Sequence, residues 1–465
     1  MRKLLLLITG FIALSGTAQN KQILYNFTSV PQSLLTNPGA DVNYSWYVGV
    51  PLLSGISTNV GSSGFSAYDL FADNGVDFNT KLRNVVFSTS RKDKAVVNEQ
   101  LEIFSGGFKL GDWQEERATY VSFGMYQELD ALAYMPKDYV ILALDGNKDY
   151  IGKVFDISDL NARGELLSVF HLGFHKKLND KLIFGARGKI YSSIYNVSST
   201  KNSGYFYTIQ DENSVYEQII SSNIQIDMSG LTNYTNNNSV DAVSTIAKKA
   251  LLGGNLGLGL DLGLTYYPKK NIQFTASLTD IGFVKHTKDV ENYTYKGYYN
   301  YKGLTPNFIL DGSNQSLSEE FEDALPLDTI NQKYTTWRPL KLNSSIQYSF
   351  GDGRNTDCNC LGNEIQYKNA IGAQLFAMST PRAPLMALTA YYRRRFLESL
   401  EMKATYTIDS FSATNIGLGL STTIRKVNFY LMADNLLEYR DISKANSLAF
   451  QLGINIVFPD KNTPD

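Results

Sequence analysis

A chain whose large apolar residues recur at every second position cannot bury them along a helix. It must present them on one face of extended strands. The C-terminal segment does this without interruption. Leu448, Phe450, Leu452, Ile454, Ile456 and Phe458 fall on one face, and Ala449, Gln451, Gly453, Asn455 and Val457 on the other. Six large apolar side chains in strict alternation exceed what a half-buried strand of a soluble sandwich carries. They suit a strand with one face in lipid and the other in a polar lumen. The pattern recurs where Leu256, Leu258, Leu260, Leu262 and Leu264 alternate with Gly257, Gly259, Asp261, Gly263 and Thr265. It returns with Ile416, Leu418 and Leu420 against Gly417, Gly419 and Ser421, and with Phe429, Leu431 and Ala433 against Tyr430, Met432 and Asp434. Glycine on the inner face leaves room for a segment or plug packed against the wall, and eases bending. Gly254, Gly257, Gly259 and Gly263 do not fit the spacing of a dinucleotide loop, and no βα pattern surrounds them.

Composition agrees with this reading. The 465 residues carry 43 basic and 45 acidic side chains, a balance that argues against nucleic-acid binding. The charged fraction of 19% is below the roughly 25% of soluble domains. Thirty tyrosines and 25 phenylalanines exclude a disordered, solvating chain. A mean hydropathy of −0.20 argues against a helical membrane protein. The start reads as a cleavable signal peptide over residues 1–18: Arg2 and Lys3, an apolar run from Leu4 to Leu14, then the small residues Gly16 and Ala18. The apolar run is too short to span a bilayer, and no cysteine follows it to carry a lipid anchor. The chain is thus expected to be exported to the cell outer membrane.

Sixteen segments read as strands: 43–50, 99–110, 117–128, 165–176, 181–196, 219–229, 255–267, 271–283, 292–303, 339–350, 366–377, 385–395, 400–409, 414–424, 427–437 and 447–458. Strand number in bacterial barrels of this kind is even, and the preferred architecture is an all-β transmembrane antiparallel barrel of about fourteen strands, within a range of twelve to sixteen. Short turns such as 176–180, 268–271 and Arg425-Lys426 are assigned to the periplasmic side, and 197–218, 230–254, 304–338 and 351–365 to outer loops. Two hairpins share one grammar: Asn255-Leu-Gly-Leu-Gly-Leu with a second strand reaching Asp280, and Asn415-Ile-Gly-Leu-Gly-Leu with one reaching Asp434. Tyrosines at strand ends, among them Tyr266, Tyr298, Tyr392 and Tyr439, are candidates for interfacial girdles. Within 62–98, Phe78, Leu82, Val85 and Val86 follow helical spacing, so short helices there are expected to lie in the lumen or at its mouth as a plug, or to form a periplasmic cap. The resulting division is signal peptide 1–18, plug or cap with the first strand 19–98, barrel 99–458 and tail 459–465.

Reactive chemistry is sparse. His171 and His175 lie in an alternating strand, where a four-residue separation spans about 13 Å, too far to share an ion. Cys358 and Cys360 form a C-x-C pair in a polar loop; a loop disulfide is favoured over free thiols or a weak metal site. Glu319, Glu320, Glu322 and Asp323 read as a solvated loop. Asp261, Asp280 and Asp434 face the lumen as candidate permeation groups, with turn-amide acceptors as the plainer reading. No Ser-His-Asp arrangement or paired catalytic carboxylates are recognisable, and neither an enzyme nor a cofactor site is expected. Phe450, Leu452, Ile454, Ile456 and Phe458 form the candidate terminal signal for the barrel-insertion machinery.

The run Leu35-Thr36-Asn37-Pro38-Gly39-Ala40 resembles the Asn-Pro-Ala start of the PorP/SprF barrels, which accompany type IX secretion and gliding in Bacteroidota. The Gly257–Tyr266 segment resembles the FadL/PorV group of hydrophobic-solute and secretion-associated barrels. The whole mature chain resembles an uncharacterised flavobacterial outer-membrane family, through Pro51-Leu-Leu-Ser-Gly-Ile-Ser, Val76-Asp-Phe-Asn-Thr-Lys-Leu-Arg and Tyr334-Thr-Thr-Trp-Arg-Pro. The kinship with PorP/SprF implies a non-enzymatic scaffold that holds other envelope proteins at the outer membrane. The kinship with FadL implies a channel for a hydrophobic ligand, and a soluble exported β-protein is the third alternative.

Overall fold

The computed structural model describes residues 21–110, 119–210, 216–230, 242–302, 317–351, 367–397, 399–409 and 411–459. Fourteen strands close into one antiparallel barrel. They are β1 (Tyr44–Gly49 and Ile56–Ser62), β2 (Lys94–Leu110), β3 (Thr119–Tyr134), β4 (Ala162–Asn179) and β5 (Leu182–Ser199). β6 (Asn255–Lys269), β7 (Ile272–His286), β8 (Tyr334–Trp337 and Lys341–Phe350), β9 (Asn369–Met378) and β10 (Leu385–Leu397) follow. β11 (Leu400–Ile408), β12 (Asn415–Ile424), β13 (Val427–Asp434) and β14 (Ser447–Pro459) complete the ring. Closure is made by β14 against both halves of β1, with Trp46 opposite Phe458 and Ile56 opposite Leu452. Leu256, Leu258, Phe429, Leu431 and Ile456 all stand exposed on the outer wall, the apolar exterior of a membrane barrel and not that of a soluble β-protein. No helix among the described residues is long and apolar enough to cross a membrane.

All fourteen wall strands coincide with segments marked by alternation. The two remaining segments, 219–229 and 292–303, belong elsewhere. Tyr216–Ser229 and Val290–Tyr301 form a second layer with Ser203–Gln210, Val154–Asp156 and Leu327–Ile330. This sheet leaves the wall where Asn196 on β5 pairs with Ser229, and rises from the end that carries the long connections. Alternation marks a strand but does not say whether lipid or water lies beyond it.

Strand direction alternates around the ring, so every second connection lies at the same end. The tight turns after Asn179, Lys269 and Ile424 share one end with Pro459, the last described residue. Parity corrects one loop. Phe350 pairs with Asn369 at this tight-turn end and not at the end of the outer loops, while residues 352–366 between them lie outside the described residues. Cys358 and Cys360 lie outside the described residues.

Helical spacing around Phe78 is realised in α3 (Phe78–Ser88), preceded by α1 (Ser33–Thr36) and α2 (Ala67–Phe71). Asp77 caps α3 by accepting the amides of Asn79 and Thr80, and Ser66 and Asp69 form a capping box on α2. α2 and α3 lie at the long-connection end, where Val86 packs with Ile141 and Phe155, whereas α1 belongs to the chain inside the lumen. The barrel begins at Tyr44, ahead of the expected boundary at residue 99, and the chain inside the lumen is 21–43.

If the outer wall meets lipid, Leu262→Arg near the middle of β6 is expected to cost about 2–4 kcal/mol in denaturant-dependent folding into vesicles. A cost below about 0.5 kcal/mol, as for an exposed position in water, would mean that this face does not meet hydrocarbon.

Candidate functional site: a plugged lumen

Residues 21–43 wind around the inner wall. Gln22, Ile23, Leu24, Tyr25, Phe27, Val30, Ser33 and Leu34 are almost completely removed from solvent. Lys403 on β11 donates to the carbonyl oxygens of Tyr25 at 2.6 Å and Ile23 at 3.0 Å. Gln374 on β9 reaches Gln22, and Asn26 contacts Ser345 on β8. Farther along, Gln32 donates to Glu102 on β2 at 2.8 Å and exchanges two hydrogen bonds with Asn455 on β14. Arg187 on β5 then donates to the carbonyls of Leu34 and Leu35, each at 2.7 Å. Ser277 and Thr265 donate to the carbonyls of Thr36 and Gly39 before the chain enters β1. Local turns and the short helix at Ser33–Thr36 bond some of the plug's carbonyls to its own amides, among them those of Leu24, Phe27, Val30 and Ser33. Wall side chains take others, among them those of Ile23, Tyr25, Leu34, Leu35, Thr36 and Gly39.

The inner-wall glycines mark the closest approaches. A Cβ on Gly263 would lie 2.1 Å from the Asn37 side-chain oxygen, and one on Gly185 would lie 2.1 Å from the carbonyl oxygen of Pro38. On β12, a Cβ at Gly419 would meet Ile23 at 2.5 Å. The Asn37-Pro38-Gly39 run is therefore where plug backbone touches wall backbone.

Above this contact lies a chain of buried ion pairs. Asp261 on β6 binds Arg187, its register partner on β5, and Lys189 at 2.9 Å. Lys189 also binds Asp280 on β7 at 2.6 Å, and Asp280 binds Lys341 on β8 at 2.9 Å. Lys341 reaches Glu128 on β3 at 3.2 Å; Glu128 and Glu165 on β4 both hold Arg338, at 3.1 and 2.6 Å. Four cations and four anions balance, and the bridge from β8 to β3 and β4 crosses the lumen. Asp261 accepts the Asp280 amide at 2.6 Å, but at a bulge where Asp280 has φ +64°, not at a turn. Asp434 lies apart, buried on β13, with a side-chain oxygen against Gly417. His171 and His175 both lie on the inner face of β4, beside Tyr126 and Tyr120. Among the described residues, no group of three or more His, Cys, Asp or Glu side chains could hold a metal ion. The terminal-strand residues Phe450, Leu452, Ile454, Ile456 and Phe458 lie on the outer face of β14, with Phe458 stacked on Trp46.

The long-connection end is also covered. The β9–β10 connection reaches β3, six strands away around the ring and so nearly opposite: Thr380 meets the Tyr134 hydroxyl at 2.8 Å, and Arg382 stacks 4.7 Å over the Tyr134 ring. Arg382 donates to the carbonyls of Ser158 and Asp159 at 3.0 and 3.2 Å. Arg91 gathers Asp138, Asp156 and Asp159 within 3.2 Å. Phe411, between β11 and β12, folds in against Val96, Leu132 and Tyr134. Burial raises the Asp159 carboxyl above its ordinary value despite Arg91. Burial also opposes ionisation of Asp156, but hydrogen bonds from Ser158 and the Arg91 charge hold it below the ordinary value. Acidification therefore favours the closed mouth through Asp159 and opposes it through Asp156, so this latch is not a simple acid switch.

The ion-pair residues other than Asp261 and Asp280 were missed at the sequence level. Their signal is a charge in the middle of an alternating strand, as in Gly-Ala-Arg187-Gly-Lys189-Ile, but pairing it requires the register.

Gly263→Ala and Gly185→Ala are each expected to lift the plug, seen as faster proteolysis within residues 21–43 with barrel migration in gels unchanged. An unaltered cleavage pattern would count against close seating. Asp280→Asn removes the charge shared by Lys189 and Lys341, and is expected to destabilise the barrel by about 3 kcal/mol; a loss under about 1 kcal/mol would show that the network carries little.

No curated protein matches the sequence. Among solved structures, a Pseudomonas aeruginosa FadL homologue is similar at 9% identity and TM-score 0.43, over 96% of this chain and 100% of that one. The Ralstonia pickettii toluene transporter TbuX is similar at 11% identity and TM-score 0.40, over 92% and 94%. The model of a family described as "Family of unknown function (DUF5723)" matches residues 38–434, from the plug–wall contact to the end of β13, and the chain belongs to that family.

Proposed function

We propose that this protein is an outer-membrane channel for a small solute with an apolar body, closed at rest, with residues 21–43 as its gate. The supporting observation is a pair of apolar patches behind the plug, set among the polar wall groups that hold its carbonyls. A water-filled porin lines its lumen with polar groups. Here Ile23, Leu24, Phe27 and Val30 pack on Tyr430 and Met432, and Leu34 and Ala40 pack with Tyr44, Tyr47, Tyr120 and Val457. A plug that withdraws uncovers these apolar and phenolic patches beside the polar groups that held it, which suits a solute with an apolar body. Because the plug joins no wall ladder among the described residues, it can move without unzipping a strand. This reading needs surrounding lipid, the insertion machinery that reads β14, and no bond-making chemistry.

A second reading, an accessory barrel that holds envelope proteins for type IX secretion or gliding as in PorP/SprF, has one observation in its favour. The extramembrane sheet exposes Tyr205, Tyr216 and Tyr298 to whatever lies beyond the membrane.

A reversible lock separates the two. In a Cys358→Ser, Cys360→Ser background, Asn26→Cys with Ser345→Cys ties the plug to β8 where those side chains touch. Vesicles holding the reduced protein are expected to take up a small fluorescent apolar solute, and oxidation is expected to abolish that uptake. Equal uptake in both states, or none in either, would overturn the gated channel; none in either leaves the scaffold as the reading to pursue.

A further inference from the structure

One part of the outer wall departs from the apolar pattern. Ser168 on β4 and Ser192 on β5 pair with each other on the lipid-facing side, yet both are fully buried. The cover is residues 249–253, which pack on β5, with the Ser192 hydroxyl donating to the Lys249 carbonyl at 2.6 Å. Two small polar residues thus form a seat in the wall, and the covering turn faces outward with Leu251 and Leu252, 66% and 42% exposed. Ile246 stands exposed one turn earlier, and Leu256 and Leu258 continue the same apolar surface down β6. Trp337 on β8 is 76% exposed, with its ring 5.7 Å from that of Phe283, as an aromatic at a membrane interface would be.

Cations rim this surface. Lys288 donates to the Gly253 and Gly254 carbonyls at 2.9 and 3.3 Å, which places its ammonium at the end of the covering turn. Lys248 immediately precedes that turn, and Lys285 lies on the outer face of β7 beside Phe283; both are exposed. Asp289, next to Lys288 in the sequence, binds Lys249 at 2.8 Å.

We propose that this rim binds a phosphate-bearing lipid of the surrounding leaflet, with the headgroup phosphate at Lys248, Lys285 and Lys288 and the acyl chains on Leu251, Leu252, Leu256 and Leu258. Continuity with the lipid-facing wall places the apolar half in hydrocarbon, and the cationic edge then falls at headgroup depth. A free aqueous phosphate would use the lysines but leave the leucines without a role. The proposal rests on the barrel alone and does not depend on what, if anything, passes through the lumen.

The test is lipid retention. Full-length protein is reconstituted in nanodiscs of phosphatidylcholine doped with a bisphosphorylated lipid A or with its dephosphorylated form, then exchanged into detergent, and retained lipid is counted by native mass spectrometry. Wild type is expected to keep the phosphorylated lipid, and Lys248→Gln with Lys285→Gln, which leaves the Lys288 contacts in place, to lose about tenfold of it. Lys176→Gln with Lys177→Gln, at the tight-turn end, is the charge-matched control and is expected to retain wild-type levels. Leu251→Ser with Leu252→Ser is expected to weaken retention with all lysines present. Equal retention of the two lipid forms, or an equal loss in the control, would overturn the proposal; so would loss with the lysine pair alone and competition by inorganic phosphate, which would assign a phosphate site without a lipid. Heat-dependent gel migration confirms folding of each variant.

Discussion

A backbone in hydrocarbon finds no water to bond with, so every amide and carbonyl in the wall must find a partner in a neighbouring strand. The rest of the structure depends on that constraint. It forces the ring to close, and it makes the last strand, β14, find the first, β1, even though β1 is broken between Gly49 and Ile56. The break stays hydrogen-bonded on both sides: Ile454 donates to Leu53, and Leu52 donates to Ile103. The interruption pushes Leu52 and Leu53 out towards lipid without opening the wall.

Fourteen strands enclose more space than wall side chains alone can fill. Two devices occupy it. The plug brings its own apolar residues and borrows hydrogen bonds from Arg187, Lys403 and Gln32's partners. The ion-pair chain from Asp261 to Glu165 fills the layer above. The two are joined through Arg187, whose guanidinium binds Asp261 and the plug carbonyls together. Removing one charge from such a set leaves its partners buried and unpaired, which is why the set is costly to break even where its net worth is small.

Much of this was legible in the sequence, for a physical reason. A two-faced environment imposes period two, so the wall strands from Lys94 to Phe458 announce themselves, and glycines inside them signal close approach by another segment. What approached them was not legible. Residues 21–43 carry no period, because each is placed by a different strand of the wall, so the sequence includes them only within the broad plug-or-cap segment 19–98. The helical spacing at Phe78–Val86 marks that stretch as a plug or a periplasmic cap, whereas the helix it forms lies at the long-connection end and the lumen is filled by residues ahead of β1. The pairing of Arg187 with Asp261 was equally hidden: both charges are visible, but 74 positions separate them and only the register places them opposite. The same limit made Asp261 and Asp280 look like turn residues or permeation groups, when they are the inner links of a neutral chain.

The central claim is that the N-terminal segment fills the barrel. It is tested most directly by placing a single cysteine at Ser33, 1% exposed in the lumen, and another at Lys201 on the long-connection surface, each in a Cys358→Ser, Cys360→Ser background. Maleimide labelling of the folded protein in vesicles is expected to be about a hundredfold slower at position 33 than at 201, and to equalise on unfolding. Equal rates in the folded state would place residues 21–43 outside the lumen and contradict the account.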